Sequence, residues 1–328
     1  MATGCACCGR NEAELLGHRP GADGRPYRIL RCTGCGLWRV DPMPRREELA
    51  AWYGSRGHSE RETGLVLGAP GPAVRAALED RRQWLRLALR LAGSPHPQRA
   101  LDVGCGFGFF LAALEERAIP AVGIDLDGHA VAHARQWFGV DARRGSLAEA
   151  AELPPVDLLS LWEVLEHQPD PTTFLREVRD RIAPGGHLVG SVPNAEGIAA
   201  RLRGVRWRMV YPPDHLHYFG PGSLEEILRR TGFEPVFVGT VACMAAPNWS
   251  LGIRRAILHR TERLPSGWRA EVLRATHRGL TLAKRHVVYA ALNRIIAGLG
   301  LGGDNLLFVA RRPPEPALAA SARATAAA

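Results

Sequence analysis

Lysine is almost absent from this chain. Among its 328 residues, 42 side chains are basic, and the one lysine is Lys284. No stretch reaches the roughly 18 uninterrupted apolar residues that a membrane-spanning helix requires, and the start, MATGCACCGR, has no basic segment followed by an apolar run. These absences argue against a membrane span and a secretory leader. With 46% apolar residues, the sequence predicts a folded cytoplasmic protein.

The positive charge is unevenly distributed. The formal net charge is +9, and residues 253–294 contain ten basic side chains against two acids, Glu262 and Glu271. This segment has two interpretations: a solvated helical surface, or a docking face for an acidic or membrane-borne partner. Nucleic acid is disfavoured as the partner, because Trp268 and Tyr289 are the clear aromatic residues there and offer no obvious platform for stacked bases.

Five zones follow one another along the sequence. Residues 1–41 are rich in Cys and Gly, and residues 42–98 have apolar residues at helical spacing. Segments of strand and helix type then alternate, which predicts a parallel sheet with helices on both faces. A basic helical stretch at about 243–303 precedes a last strand at 305–312, and the Pro- and Ala-rich residues 313–328 are predicted to be disordered.

Two CxxC pairs lie in the first zone. They are Cys5 with Cys8 and Cys32 with Cys35, with 23 residues between the pairs and a glycine after each. Four thiolates at this spacing can surround zinc, and about forty residues are too few to form a stable core without a metal. A disulfide pair and a redox CxxC are disfavoured by a cytosolic location and by the missing βαβ pattern. We predict a closed, structural zinc site in a zinc-ribbon module, with Cys7 as an alternative ligand.

A glycine turn follows the first strand of the alternating region. The stretch LDVGCGFG places Gly104, Gly106 and Gly108 before an amphipathic helix, with Asp102 two residues ahead of the turn. The spacing is GxGxG, whereas a dinucleotide-binding turn has GxGxxG. A carboxylate beside the turn would repel a pyrophosphate, but it suits a ligand with a positive charge, such as an ammonium near a sulfonium.

Three further residues complete the predicted cofactor site. Asp125 ends the next strand, seventeen residues after Gly108, where its carboxylate can accept both ribose hydroxyls. Ser146 and Leu147 end the third strand and can flank an adenine ring. Together with Asp102, these residues favour S-adenosylmethionine over NAD as the cofactor.

Four stretches resemble, in order and spacing, the motifs of class I S-adenosylmethionine-dependent methyltransferases: LDVGCGFGFFLAAL, VGIDLD, VDLLSLWEVLEHQPDP and RIAPGGHLVGSVPN. The resemblance covers residues 99–241. It implies an α/β, Rossmann-like, mostly parallel sheet of seven strands with helices on both faces and an antiparallel last strand. The core then covers residues 99–312, and the basic stretch at about 243–303 is a helical insertion before the last strand.

The motifs and this resemblance together give a candidate set of cofactor-binding residues. They are Asp102, Gly104, Cys105, Gly106, Gly108, Asp125, Leu126, Ser146, Leu147, and Trp162 or Glu163. Many members of the family place an acidic residue against the adenine at the position that Ser146 occupies.

Candidate acid/base residues follow the fourth and fifth strands. Methyl transfer from a sulfonium is an in-line displacement, and a base helps when the acceptor is a hydroxyl, an amine or an acidic C–H. Glu166 and His167 lie in LEHQPDP, and Asp214 and His215 lie in YPPDHLHYF. His167 also fits a local packing role, whereas Asp214 and His215 follow two prolines that can hold a base rigidly.

A narrower resemblance concerns the second of these loops. A zinc module joined to this fold, with an acidic-His-x-x-Tyr-Phe element, is similar to the zinc-containing sugar C-methyltransferases. This likeness implies that Asp214 and His215 form the acid/base pair, and that Tyr53 and Tyr218 contact the substrate. The chain departs from those enzymes in having aspartate where they have glutamate.

These observations predict an enzyme that transfers a methyl group from S-adenosylmethionine to a small-molecule acceptor. The acceptor classes are a sugar, a lipid-linked intermediate or a secondary metabolite, methylated at O or C. The alternatives are an RNA methyltransferase that binds through the zinc ribbon and the basic helices, and a non-catalytic scaffold with the same fold.

Overall fold

A computed structural model of the chain describes residues 4–53, 72–94, 96–241 and 302–314. Almost all of the basic insertion and of the tail that the sequence predicts lies outside these residues. In the described part of the chain, no helix has both the length and the apolar character that crossing a bilayer demands.

The described residues form eleven strands and seven α-helices. The strands are β1 (Ala13–Pro20), β2 (Pro26–Cys32), β3 (Trp38–Asp41), β4 (Ala100–Val103), β5 (Ala121–Asp125), β6 (Ala142–Arg144), β7 (Val156–Trp162), β8 (Ile182–Pro193), β9 (His217–Tyr218), β10 (Glu234–Val241) and β11 (Asn305–Arg311). The helices are α1 (Arg46–Tyr53), α2 (Pro72–Ala92), α3 (Phe109–Glu115), α4 (Gly128–Phe138), α5 (Pro171–Arg181), α6 (Ile198–Arg203) and α7 (Pro221–Arg230).

The larger sheet has seven strands in the order β10-β11-β8-β7-β4-β5-β6. Strand β11 is antiparallel to both of its neighbours, and the pairs among the central strands are parallel. The predicted Rossmann-like fold with an antiparallel last strand is therefore confirmed. The strand order reverses at β4, between β7 and β5, which is where α/β sheets open a ligand-binding crevice.

Successive residues along the strands face opposite sides of this sheet. On β11, Leu306 and Phe308 belong to the core under α5 and α7, while Leu307 and Val309 belong to the core under α2 and α3. Two covered faces explain why the strands read as nearly continuous apolar runs in the sequence.

Residues 13–41 contribute three strands to a second, antiparallel sheet, in the order β1-β2-β3-β9. Its fourth strand comes from the loop after β8, because Trp38 pairs with Tyr218 and Arg39 with His217. The cysteine-bearing module is thus joined by backbone pairing to the loop that carries Asp214 and His215. The short, two-residue strand β9 is an element that the periodicity of the sequence does not reveal.

Candidate active site

The glycine turn connects β4 to α3 at the crevice. Gly104, Gly106 and Gly108 have positive φ angles of 73°, 49° and 77°, a region that favours glycine. A β-carbon on Gly106 would meet no atom within 4 Å, whereas one on Gly108 would lie 2.7 Å from the β-carbon of Ala134. Gly106 therefore faces open space that a ligand can occupy, and Gly108 allows close packing against α4.

Asp102 is the buried carboxylate of the crevice. It lies on β4 with 1% of its surface exposed, and its Oδ1 accepts a hydrogen bond of 2.6 Å from the Ser160 hydroxyl. Burial raises the pKa of Asp102 to about 7, against the opposing effects of the Ser160 bond and of the Arg81 guanidinium. A carboxylate in this state is stabilised as an anion by a cation that enters the crevice.

Asp125 ends β5 next to the turn. Its Oδ2 accepts a hydrogen bond from the backbone N–H of Gly106 at 2.7 Å, and its Oδ1 accepts one from that of Asp127 at 2.8 Å. Burial raises the pKa of Asp125, while these N–H groups act to lower it. Each carboxylate oxygen can accept more than one hydrogen bond, so Asp125 still has the capacity to accept hydrogen bonds from two ribose hydroxyls. Leu126, the next residue, is 53% exposed.

The segment after β6 supplies an acidic group, Glu149, that the sequence did not reveal. The carboxylate of Glu149 accepts hydrogen bonds from the backbone N–H of Ser146 at 2.6 Å and from its hydroxyl at 2.9 Å. Leu147 beside it is buried. Position 146 itself carries no acidic side chain, and Glu149, three positions later, supplies one.

Two of the predicted cofactor-binding residues, Cys105 and Trp162, have side chains that pack inside the protein. The sulfur of Cys105 lies beside Gly123, so the backbone of Cys105, and not its side chain, belongs to the turn. The Trp162 ring packs 4.9 Å from the rings of Trp84 and Phe110, measured between centroids. Trp162 therefore forms an apolar wall between β7 and the helices α2 and α3.

Glu163 follows Trp162 in a backbone conformation that is rare for a residue with a side chain. Its φ is 57°, a strained region that is enriched at binding sites. Its Oε1 accepts hydrogen bonds from the Ser191 hydroxyl at 2.5 Å and from the Asn305 amide at 3.2 Å. These bonds fix the carboxylate between β8 and β11.

Arg81 is a site residue that sequence reasoning missed. Its guanidinium lies 5.4 Å from the ring centroid of Trp84 and 5.7 Å from that of Trp162. Burial lowers the pKa of Arg81, and the carboxylates of Glu163 and Asp102 act to raise it. Helix α2 thus brings a half-buried cation to the crevice.

Glu166, His167 and His215 converge where the loops after β7 and β8 meet. One ligand-type atom from each lies within 4.8 Å of the others, and the two imidazole rings meet edge to face with centroids 4.9 Å apart. The Glu166 side chain is buried completely. Groups at this spacing can exchange a proton or share a cation.

Backbone carbonyls fix the orientation of both imidazoles. Nδ1 of His167 lies 2.8 Å from the carbonyl oxygen of Asp214, and Nδ1 of His215 lies 2.8 Å from that of Met209. Because a carbonyl only accepts hydrogen bonds, Nδ1 of His215 carries the proton and its Nε2 is the basic nitrogen. His167 also has a hydrogen bond with the backbone carbonyl of Glu163. Burial lowers the pKa of His167, although the charge and the carbonyl of Asp214 oppose this shift.

The side chains of the predicted Asp214 and His215 pair have different neighbours. Asp214 is 1% exposed, and its carboxylate accepts a hydrogen bond from the indole N–H of Trp52 on α1. Tyr218 is buried, and its hydroxyl donates to the carbonyl of His215 at 2.9 Å, so it supports the loop from within. Tyr53 ends α1, and its side chain lies outside the described residues.

A surface cavity of about 610 Å³ adjoins this loop. Trp52 contacts both the loop and the cavity. Its indole N–H donates to Asp214, and the residue forms part of the cavity wall. The other walls include Asp23, Arg25, Glu48, Tyr211 and Pro213.

The four predicted zinc ligands converge in the first module. The sulfur atoms of Cys5 and Cys35 are 3.6 Å apart, those of Cys8 and Cys32 are 3.5 Å apart, and all four lie within 4.8 Å of one another. Thiolates bound to tetrahedral zinc at 2.3 Å are about 3.8 Å apart. The donor set and its spacing therefore fit a zinc ion.

Cys7 has a partner outside this cluster. Its thiol lies 3.2 Å from the carbonyl oxygen of Ser223 on α7 and donates to it. The hydroxyl of Thr172 on α5 donates to the carbonyl of Ala6. The segment between the first two ligands is thus docked on two helices of the core, and the Cys7 thiol also contacts that of Cys35.

The chain is similar to known proteins both in sequence and in structure. A family model described as a methyltransferase domain matches residues 76–237. A ubiquinone biosynthesis O-methyltransferase of Cereibacter sphaeroides is 30% identical over 169 residues, which cover 48% of this chain and 68% of that protein. A probable S-adenosylmethionine-dependent methyltransferase of Mycolicibacterium smegmatis is 33% identical over 158 residues, which cover 46% of this chain and 56% of that protein.

Two solved structures resemble the chain over most of its length. One is the 1,6-didemethyltoxoflavin-N1-methyltransferase of Burkholderia thailandensis with 1,6-didemethyltoxoflavin and S-adenosylhomocysteine bound (TM-score 0.50, 17% identity, 90% of this chain and 99% of that chain). The other is the [4+2]-cyclase SpnF (TM-score 0.52, 18% identity, 83% of this chain and 97% of that chain). At these identities the likeness shows the fold alone.

Proposed function

Because the chain belongs to the class I S-adenosylmethionine-dependent methyltransferases, we propose that it methylates a small-molecule acceptor at an oxygen or carbon atom, with His215 as the base. The convergence of Glu166, His167 and His215 where the loops after β7 and β8 meet carries this proposal. The sequence relative in ubiquinone biosynthesis supports a small-molecule acceptor.

The crevice offers complementary groups for each part of the donor. Asp102 pairs with the ammonium of the amino-acid portion, and Arg81 pairs with its carboxylate. Asp125 accepts the ribose hydroxyls, and Leu126 and Leu147 flank the adenine. The fit rests on the open space at Gly106 and on the buried carboxylate of Asp102. When bound, S-adenosylmethionine supplies an electrophilic methyl group on a sulfonium.

His215 takes the acceptor's proton through Nε2, because the Met209 carbonyl holds the proton on Nδ1. Glu166 stabilises the imidazolium that forms, since a buried carboxylate interacts strongly with a nearby cation. Asp214 is a positioning residue: its carbonyl orients His167, and its carboxylate is held by Trp52.

Zinc has a structural role in this proposal. The cluster of Cys5, Cys8, Cys32 and Cys35 provides four thiolates and is coordinately closed. It stabilises the small sheet, whose fourth strand continues from the loop that carries Asp214 and His215, which we call the acceptor loop. A bound zinc ion would therefore influence turnover through the position of His215.

Calorimetry and a turnover assay test the proposal together. We expect the protein to bind S-adenosylhomocysteine, and Asp125→Ala to abolish this binding. With radiolabelled S-adenosylmethionine and a panel of phenols, sugar nucleotides and lipid-linked sugars, His215→Gln is expected to lose about 100-fold or more in turnover while keeping its affinity for the cofactor product. His18→Gln, at an exposed histidine, is the matched control.

Three results would count against this function. Failure of the protein to bind S-adenosylhomocysteine would favour the scaffold alternative, and labelling of RNA in place of the small molecules would favour the RNA methyltransferase. Full turnover by His215→Gln would remove His215 as the base and leave the cofactor site intact.

A further inference from the structure

Leu202 is the most exposed large apolar side chain in the described part of the chain, at 82% of its surface. It lies on α6, two residues after Ala200, which is fully buried. Because an α-helix turns by about 100° per residue, Leu202 lies on the side of the helix opposite Ala200. The helix therefore anchors itself through Ala200 and presents Leu202 outward.

Four arginines lie close to Leu202 in the sequence. Arg201, Arg203, Arg206 and Arg208 are all exposed. Within the described residues, the one carboxylate paired with any of them is that of Glu196, at 3.9 Å from Arg201. We call these four arginines and Leu202 the Leu202 surface. Its charge is strongly positive, and its centre is apolar.

A second exposed apolar side chain lies on the neighbouring strand. Strand β1 packs against the turn Gly204–Arg206, and a β-carbon on Gly17 would lie 3.1 Å from Val205. Leu15, two residues before Gly17, is 53% exposed. The strand that packs against the turn Gly204–Arg206 therefore carries a second exposed apolar side chain.

We propose that the Leu202 surface docks the protein on an anionic lipid bilayer. Leu202 enters the boundary between headgroups and acyl chains, and the arginines bind lipid phosphates in the plane around it. A protruding apolar side chain among guanidinium groups matches a fluid, anionic surface that can close around it. A specific protein partner would instead require a larger apolar centre from which charge is depleted.

The Leu202 surface lies next to the loop of His215 along the chain. Met209, whose carbonyl orients His215, directly follows Arg208 in the chain. Tyr211, two residues further on, is 43% exposed and lines the cavity beside Trp52. Docking through Leu202 places the acceptor loop close to the membrane surface, where a lipid-borne acceptor would be presented. Bilayer binding itself does not depend on methyl transfer.

Co-sedimentation of the full chain with vesicles tests the proposal. The vesicles contain phosphatidylcholine alone, or phosphatidylcholine with on the order of one-third phosphatidylglycerol. We expect binding to the anionic vesicles only. Leu202→Ser and the double variant Arg203→Gln/Arg206→Gln are each expected to weaken this binding, the double variant by about tenfold or more.

Two matched controls separate this surface from the overall positive charge. Arg86→Gln/Arg90→Gln removes the same charge from α2, and Val236→Ser removes an apolar side chain that is 48% exposed on β10. Both controls are expected to bind anionic vesicles as the unmodified protein does. Because all of these side chains are exposed, the melting temperature checks that the variants remain folded.

The proposal is overturned if the unmodified protein does not bind anionic vesicles, or if the Leu202 surface variants bind as well as the controls. The second outcome would assign membrane contact to another basic segment, such as residues 253–294. Binding to an acidic protein without binding to vesicles would also overturn it. Calorimetry with S-adenosylhomocysteine on the same preparations reports separately on the methyltransferase site.

Discussion

The backbone N–H of Val40 donates a hydrogen bond to the carbonyl of Leu216, with an N···O distance of 3.0 Å. Leu216 in turn donates its own N–H to the carbonyl of Glu166 at 2.9 Å. A continuous set of backbone hydrogen bonds therefore runs from the cysteine-bearing sheet, through the residue after His215, to the loop that carries Glu166. This connection makes the first module a structural part of the candidate active site.

Removing one zinc ligand should lower turnover more than cofactor binding. In Cys8→Ser, we expect bound zinc to fall well below one ion per chain and turnover to fall by about tenfold or more, because the small sheet no longer holds the His215 loop. The affinity for S-adenosylhomocysteine should change by less than about threefold, since Asp102 and Asp125 lie on the larger sheet. Metal analysis, a turnover assay and calorimetry measure the three quantities.

Cys7→Ser is the matched control for this experiment. Its thiol donates to the Ser223 carbonyl and is not among the four grouped ligands, and a serine hydroxyl can donate to the same carbonyl. The variant should keep one zinc ion and its turnover. Loss of zinc in Cys7→Ser, or full turnover in zinc-free Cys8→Ser, would contradict the coupling.

The larger sheet could be predicted from the sequence because its signals are local. The strand at Val156–Trp162 and the helix at Gly128–Phe138 each carry their pattern of apolar residues within one element. Each CxxC pair is also a local signal, and the presence of two such pairs is what predicts that they share one ion, although the pairs are 24 and 30 positions apart.

The parts of the site that sequence did not reveal depend on distant pairs. Trp52 and Asp214 are separated by 162 positions, and no local pattern marks either of them as a partner of the other. Arg81 is one of five arginines on α2, so its place beside Trp162 depends on how the helix packs on the sheet. Strand β9 has two residues, which is too short for a period of two to be recognised.

Arg81 should contribute to cofactor affinity. We expect Arg81→Met to weaken the binding of S-adenosylhomocysteine by about tenfold, because the variant removes a charged donor for the carboxylate of the ligand. Arg82→Met is the matched control: Arg82 is adjacent on α2, and its guanidinium pairs with Glu79 and Glu116 at the surface. Equal affinities for the two variants, measured by calorimetry, would remove Arg81 from the cofactor site.

Two glycines of the turn should respond differently to alanine. In Gly106→Ala, the new methyl group points into open space, so we expect strong loss of cofactor binding with destabilisation of only about 1 kcal/mol from the positive φ. In Gly108→Ala, it would lie 2.7 Å from the β-carbon of Ala134, and steric overlap adds about 1–3 kcal/mol of destabilisation. Urea unfolding and calorimetry measure the two effects, and the reverse order would contradict the geometry.

Cofactor affinity should fall as the solution becomes more acidic than pH 7. Burial raises the pKa of Asp102 to about 7, and an ammonium pairs only with the ionised carboxylate. Below this pKa, the ligand has to displace a proton, so affinity approaches a tenfold loss per pH unit. Calorimetry with S-adenosylhomocysteine between pH 5.5 and 8.5 tests this expectation. Asp102→Asn should bind weakly with little dependence on pH, whereas Asp180→Asn, at a carboxylate that is 71% exposed, should follow the unmodified protein.

Buried His217 should make the fold less stable in acid. Burial lowers its pKa to about 4, whereas the unfolded chain has a value near 6.5. Below pH 6.5 the unfolded state therefore binds a proton at His217, whereas the folded state does not until the pH nears 4. The stability of the fold is lost as the pH falls toward 4. The loss from this residue is about 2 kcal/mol between pH 7 and pH 5.

Urea unfolding at the two pH values should show that His217→Gln, which keeps an N–H donor for the Gln168 carbonyl, has a smaller loss than the unmodified protein. His18→Gln, at an exposed position, should retain the full loss, and an equal loss in both variants would place the acid sensitivity elsewhere.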